Sequence, residues 1–114
     1  MTPASKEKYD KADVRLAKLA KALGHPARIV IFRHLASVKS CCFNEIAKVL
    51  PLAGSTVSQH LAELKDAGLI KGVEDPPKVW YSIDGENWKS ARRSLKDLSK
   101  IKVAKIEKDN RQNL

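Results

Sequence analysis

The stretch that decides the fold is Lys39–Gly72, "KSCCFNEIAKVLPLAGSTVSQHLAELKDAGLIKG". Within it, "FNEIAKVL" places Phe43, Ile46, Ala47 and Leu50 on one side of a helix of about two turns. Pro51 ends that helix, because the residue before a proline disfavours helical geometry. After "PLAG", the segment "GSTVSQHLAELKDAG" carries Val57, Leu61, Leu64 and Ala67 at helical spacing, and Gly68 is suited to a left-handed helix terminator. The opposite face carries Ser55, Ser58, Gln59, Ala62, Glu63 and Asp66. Two helices joined by so short a turn form a helix-turn-helix over residues 43–67.

Working outward, the period changes from helical to two. "LIKGVED" and "KVWYSID" flank Pro76-Pro77, and Val79, Tyr81 and Ile83 alternate with Trp80, Ser82 and Asp84. That pattern predicts a β-hairpin over residues 69–84 with prolines at its tip. Upstream, Tyr9, Ala12, Leu16, Leu19, Ala20 and Leu23 predict an amphipathic helix over 5–23, stopped by Gly24. Pro26 suits the first turn of the next helix, and "PARIVIFRHLASV" is apolar nearly all round, as a buried central helix would be. Downstream, Trp88, Ala91, Leu95, Leu98 and Ile101 predict a last helix over 86–108. The expected fold class is therefore mainly α with a small β-hairpin wing, a winged helix-turn-helix in one domain spanning residues 1–114. The apolar stripes of the first and last helices exceed what so small a core needs, which makes both candidate dimerisation helices.

Composition narrows the partners. The chain has 114 residues, with 22 Lys and Arg against 13 Asp and Glu, for a net charge of +9. Such an excess creates a positive field that attracts polyanions. No stretch approaches the roughly 20 apolar residues of a membrane span, and "MTPASKEKYDKAD" lacks the apolar core of a secretory signal, so a soluble, cytoplasmic protein without membrane attachment is expected. The lysines from Lys96 to Lys108 alternate with Leu98, Ile101, Val103 and Ile106, a pattern that a dimer helix explains as well as a membrane-surface segment does. The glycines match neither a dinucleotide fingerprint nor a phosphate loop, and "GSTVS" is no nucleophile elbow, so no enzyme is expected.

The second helix of the pair points to double-stranded DNA. Small hydroxyl and amide side chains near a helix N-terminus can exchange hydrogen bonds with base edges and phosphates, whereas an unpartnered solvent face more commonly carries Lys and Glu pairs. Gln59 can pair with adenine, Thr56 can meet a thymine methyl, and Ser55 and Ser58 suit phosphate or base contacts. His60 belongs to the same face or its edge, and Lys78 is the one wing-tip cation, beside Glu74 and Asp75. The plainer alternative is that Ser55 caps the helix and the rest is ordinary polar surface. A winged helix that binds protein, with its lysines solvated, is the rival from another class.

"LAKALGHPARIVIFRHLAS", "FNEIAKVLPLAGSTVSQHLAELKDAGLI" and a hairpin ending in "VWYSID" resemble the ArsR/SmtB family of bacterial winged-helix repressors, over about Val14 to Asp84. The resemblance implies a homodimer built through the first and last helices, an inverted-repeat operator read at centres roughly 34 Å apart, and release by an inducer. It also gives Cys41 and Cys42 a possible role. Adjacent cysteines cannot staple distant parts of a fold, so they read as free thiols, and thiolates suit arsenic(III), antimony(III), copper(I), cadmium or zinc. In the arsenic-sensing branch thiols cluster at the short helix, and Cys42 matches the first of them. Phe43 and Asn44 follow where another cysteine is expected, so a three-thiol site cannot be completed within this segment. Both thiols as packing residues, or as a redox switch answering to oxidation, are the alternatives. The family's zinc site on the last helix is excluded, since no histidine follows His60. His25 reads as a turn residue and His34 as a core histidine. No cofactor is required on this reading.

Overall fold

The computed structural model describes residues 8–105. Helix α1 spans Lys11–Leu23, with Asp10 at its N-cap and Asp13 in the first turn, where a carboxylate complements the helix dipole. It starts later than the periodicity predicted: Lys8, Tyr9 and Asp10 are not helical, and residues 5–7 lie outside those described. Helix α2, Pro26–Ala36, begins on His25, whose Nδ1 accepts the Ala27 N–H at 3.0 Å, with proline in the first turn. Its apolar girdle is only partly used: Ala27, Ile31, Phe32 and Leu35 are buried, whereas Val30 is exposed, as is Val38 just beyond the helix.

Cys41–Cys42 forms a short strand β1, followed directly by α3, Phe43–Val49, and then α4, Gly54–Asp66. Strands β2, Ile70–Asp75, and β3, Lys78–Ile83, make the hairpin, and α5 runs Gly85–Ser99. The sheet order is β1-β3-β2, antiparallel throughout, with Cys41 opposite Tyr81, Cys42 opposite Trp80, and Val73 opposite Trp80 on the other side. The wing therefore has a third strand, and the cysteines supply it. They were expected at the start of the short helix; Cys42 is its N-cap, in extended geometry, and the pairing with β3 draws both residues into the sheet.

The core gathers Ile31, Leu35, Ile46, Val57, Leu61, Leu64 and Leu69, contributed by α2, α3, α4 and the start of the wing. Each such side chain contributes roughly 1.5–3 kcal/mol by leaving water. Helix α4 ends in a Schellman motif: Leu69 N–H donates to the Leu64 carbonyl at 3.0 Å and Gly68 N–H to that of Lys65 at 2.9 Å, with Gly68 at φ +78°. Leu64 and Leu69 both pack in the core, so the turn that launches the wing is fixed by apolar burial as well as by backbone bonds.

Helix α5 starts on Asp84, whose Oδ1 accepts the Asn87 N–H at 3.1 Å, and lies against α1, with Trp88 tilted on Phe32 at 4.7 Å between ring centroids. None of its residues is fully buried. It ends at Ser99, well short of the expected residue 108: residues 101–105 carry no regular structure, and 106–108 lie outside those described. The reason is visible in the composition. Ile101 and Val103 are β-branched, which lowers helix propensity, and at 70% and 81% exposed they have little packing among the described residues to offset it.

Candidate nucleic-acid interface

The face of α4 turned away from the core is the natural centre of a site. Burial of Val57, Leu61 and Leu64 fixes its rotation, and this leaves Ser55, Ser58, Gln59, Ala62, Glu63 and Asp66 exposed, with Thr56 half-buried. The helix starts at Gly54 with Ala53 at the N-cap and no side-chain cap, so Ser55 does not serve as one. The first-turn N–H groups thus keep the positive end of the helix dipole directed outward, where an anion is stabilised. Lys78 stands exposed at the start of β3, its ammonium 5.7 Å from the centroid of the Trp80 ring. The aromatic face holds that cation on the wing.

His60 departs from its expected place. It is 9% exposed, on the core side of α4, and its ring tilts at 45° against that of His25 with centroids 4.4 Å apart. Two positions from Ser58 and one from Gln59, it falls on the helical angle that also carries Val57 and Leu64, which turns it inward. Burial, and then the neighbouring His25 and Arg28, push its imidazole below the usual histidine range, with Glu63 pulling the other way. Arg28 enters the same neighbourhood from the first turn of α2. One of its terminal nitrogens donates to the Lys21 carbonyl at 3.4 Å, while its buried Nε has no hydrogen-bond partner. Together Arg28, Gln59, His60, Ala62 and Glu63 line a cavity of about 360 Å³. Sequence reasoning missed Arg28; "GHPAR" showed only a turn, and nothing local in it announces a contact with residues more than thirty positions on.

The two thiols do not converge. Successive side chains of a strand point to opposite faces, and Cys41 joins the core while Cys42 borders a cleft of about 260 Å³ with Phe43, Asn44, Pro77, Lys78 and Val79. Both are nearly buried, at 6% and 5% exposed. Cys41 Sγ lies 3.6 Å from His34 Nε2, so the half-buried His34 has a thiol as its partner. Burial first, and then Cys42 and Glu45, raise the Cys41 thiol above its ordinary value. Among the described residues, no three His, Cys, Asp or Glu side chains come together as a metal site.

A short helix, a tight turn, a second helix with an open polar face and a three-stranded wing define a winged helix-turn-helix protein of the DNA-binding class. Comparison with known proteins makes that specific. A family profile described as a helix-turn-helix domain matches residues 23–73. The chain is similar to the HTH-type transcriptional regulator YgaV of Escherichia coli (strain K12), 34% identical over 82 residues that cover 72% of this chain and 83% of that protein. It is also similar to a cadmium resistance transcriptional regulatory protein CadC homolog of Staphylococcus aureus, 30% identical over 86 residues, covering 75% and 71% of the two chains. An ArsR-like transcriptional regulator from Rhodococcus sp. RHA1 shares the fold at a TM-score of 0.65, with 23% identity over 75% of this chain and 80% of that one. The chain belongs to the ArsR/SmtB family of winged helix-turn-helix regulators. It is a DNA-binding transcriptional regulator and not an enzyme. No helix among the described residues is long and apolar enough to cross a membrane.

Proposed function

We propose that the protein is a homodimeric repressor that reads an inverted-repeat operator with Ser55, Thr56, Ser58 and Gln59 of α4, assisted by Lys78 on the wing, and that a thiophilic inducer acting at Cys41 and Cys42 releases it. The observation that carries the DNA part is the exposed row Ser55, Ser58 and Gln59 on a helix whose other face is locked into the core, in a chain of net charge +9. The dimer part rests on α1 and α5, which lie together and leave Val14 and Leu98 exposed, with α5 burying no residue fully by itself. A self-complementary apolar face of this kind is what an isologous dimer covers.

The inducer part rests on the place of β1. An arsenic(III), antimony(III) or cadmium ion, or an oxidant, that drew both thiols to one side would have to break the pairing of Cys41 with Tyr81 and Cys42 with Trp80. That pairing ties the start of α3 to the wing, so the inducer and DNA would favour different arrangements and oppose each other's binding. The CadC homolog, by its name tied to cadmium resistance, supports a metal-responsive reading. Operators can be selected from random duplexes with the reduced protein. Binding to the selected duplex is then measured with arsenite, cadmium, copper(I) or peroxide, for the native chain and for Cys41→Ser/Cys42→Ser. Release by one agent, lost in the double variant, supports the inducer role and names the agent; binding indifferent to all four returns the cysteines to packing.

A further inference from the structure

The cavity at the flank of α4 has the chemistry of an anion seat. Arg28 brings a guanidinium whose Nε is buried without a protein partner. His60 is nine-tenths buried, lines the same cavity, and among the described residues makes no side-chain hydrogen bond. Gln59, on the exposed face, supplies an amide at the rim. Arg28 and His60 line one opening, so an anion entering it meets a guanidinium and an imidazole that has no side-chain hydrogen bond among the described residues. The opening adjoins the helix read here as entering the major groove, and a helix in that groove has phosphates along both its flanks.

The geometry points to Arg28, His60 and Gln59 as the seat of a backbone phosphate of the operator, so that the start of α2 grips the duplex beside α4. This rests on the reading of α4 as the DNA-facing helix and adds a contact to it. Because a phosphate favours the protonated imidazole, seating it takes up a proton. The charged and titratable groups around His60 are His25 and Arg28 from the start of α2 and Glu63 from α4 itself. His25 has its Nδ1 committed to the Ala27 N–H, so in the neutral ring the proton sits on Nε2. Without DNA, burial first and then the neighbouring His25 and Arg28 disfavour a charged His60; with a phosphate in the seat, protonation matches charge to charge. Glu63 is the one anion lining the cavity and opposes the ligand.

The test uses a duplex selected by the native chain and an unrelated duplex, with affinities measured by fluorescence anisotropy between about 50 and 250 mM salt, over which the Debye length falls from about 14 to about 6 Å, at pH 7.5 and near 6. Arg28→Gln is expected to weaken both duplexes alike, about five- to tenfold, and to reduce the salt slope by about 1. Glu63→Gln is expected to tighten both. Native binding should strengthen toward pH 6, and His25→Asn, which keeps an acceptor for the Ala27 N–H, should retain most of that gain while His60→Gln loses it. A native salt slope in a folded Arg28→Gln variant overturns the proposal. Should Arg28→Gln not fold, ring NMR of the native chain decides: the His60 titration must move to higher pH when duplex is added, and an unmoved titration overturns the seat. If no duplex is selected at all, it is the DNA-facing reading of α4 that has failed.

Discussion

Asn87, in the first turn of α5, donates from Nδ2 to the carbonyl oxygen of Gly68 at 2.9 Å. The bond joins the turn that ends α4 to the helix that faces α1, across the base of the wing. The same Nδ2 lies 3.2 Å from Asp84 Oδ2, and Asp84 N–H reaches the Leu69 carbonyl at 3.0 Å, so three hydrogen bonds among four residues tie the joint together. The first turn of α5 and the C-terminal end of α4 are thereby fixed to each other.

Gly68 has φ +78°, and a Cβ there would sit 3.0 Å from Asn87 Nδ2. Gly68→Ala is expected to cost about 1–2 kcal/mol, from the left-handed backbone and the displaced amide. Asn87→Ala should cost about 1 kcal/mol, the net value of its hydrogen bonds. Urea unfolding monitored by helix signal checks both.

The depressed His60 gives a pH signature to stability. Unfolded, the imidazole titrates near its ordinary 6.5; folded, it holds its proton less well. The unfolded chain then binds more protons in the interval between the two values, so stability is fully present above about pH 6.5 and is lost as pH falls through the folded value. Thermal unfolding should show a falling midpoint from pH 7 to 5, and the fall should be smaller in His60→Gln.

For Cys41 the sign reverses in pH. Its thiol is raised above the ordinary 9.0, so stability is present below that value and is lost as pH rises through the folded one. With the thiolate suppressed, alkylation by iodoacetamide at pH 7.5 should be at least about tenfold slower at Cys41 than in the urea-unfolded chain. Mass spectrometry of the labelled peptide reads the rate.

Leu98, 47% exposed on α5, belongs to the face assigned to the dimer. Leu98→Glu should shift the mass in sedimentation from twice the 12.7 kDa chain toward a single chain, and operator affinity should fall with it. A native chain that sediments as a monomer would remove the dimer from the account.

Much of this architecture was legible because local pattern and tertiary demand agree. Val57, Leu61 and Leu64 recur at helical spacing and are buried, Gly68 stops the helix as its type predicts, and Pro76-Pro77 stands between the strands. The misses have one cause: the deciding partner is distant in sequence. Cys41–Cys42 is too short to show a strand period, and only Tyr81 and Trp80 make it one. His60 is polar and sits beside Gln59, so it read as surface until His25 covered it. At the end of α5, apolar spacing continued through Ile101, but among the described residues Ile101 stands 70% exposed, with little surface to hold a helix there.

The most direct test of the central claim is the affinity of the native chain and of Gln59→Ala for a selected operator and for the same operator changed at single base pairs. The account predicts tight, salt-sensitive binding by the native chain, and a loss of roughly 1–3 kcal/mol of discrimination at one base pair of each half-site in the variant. Discrimination identical in the two proteins at every position would contradict the placing of Gln59 at a base edge and, with it, the reading of α4 as the recognition helix.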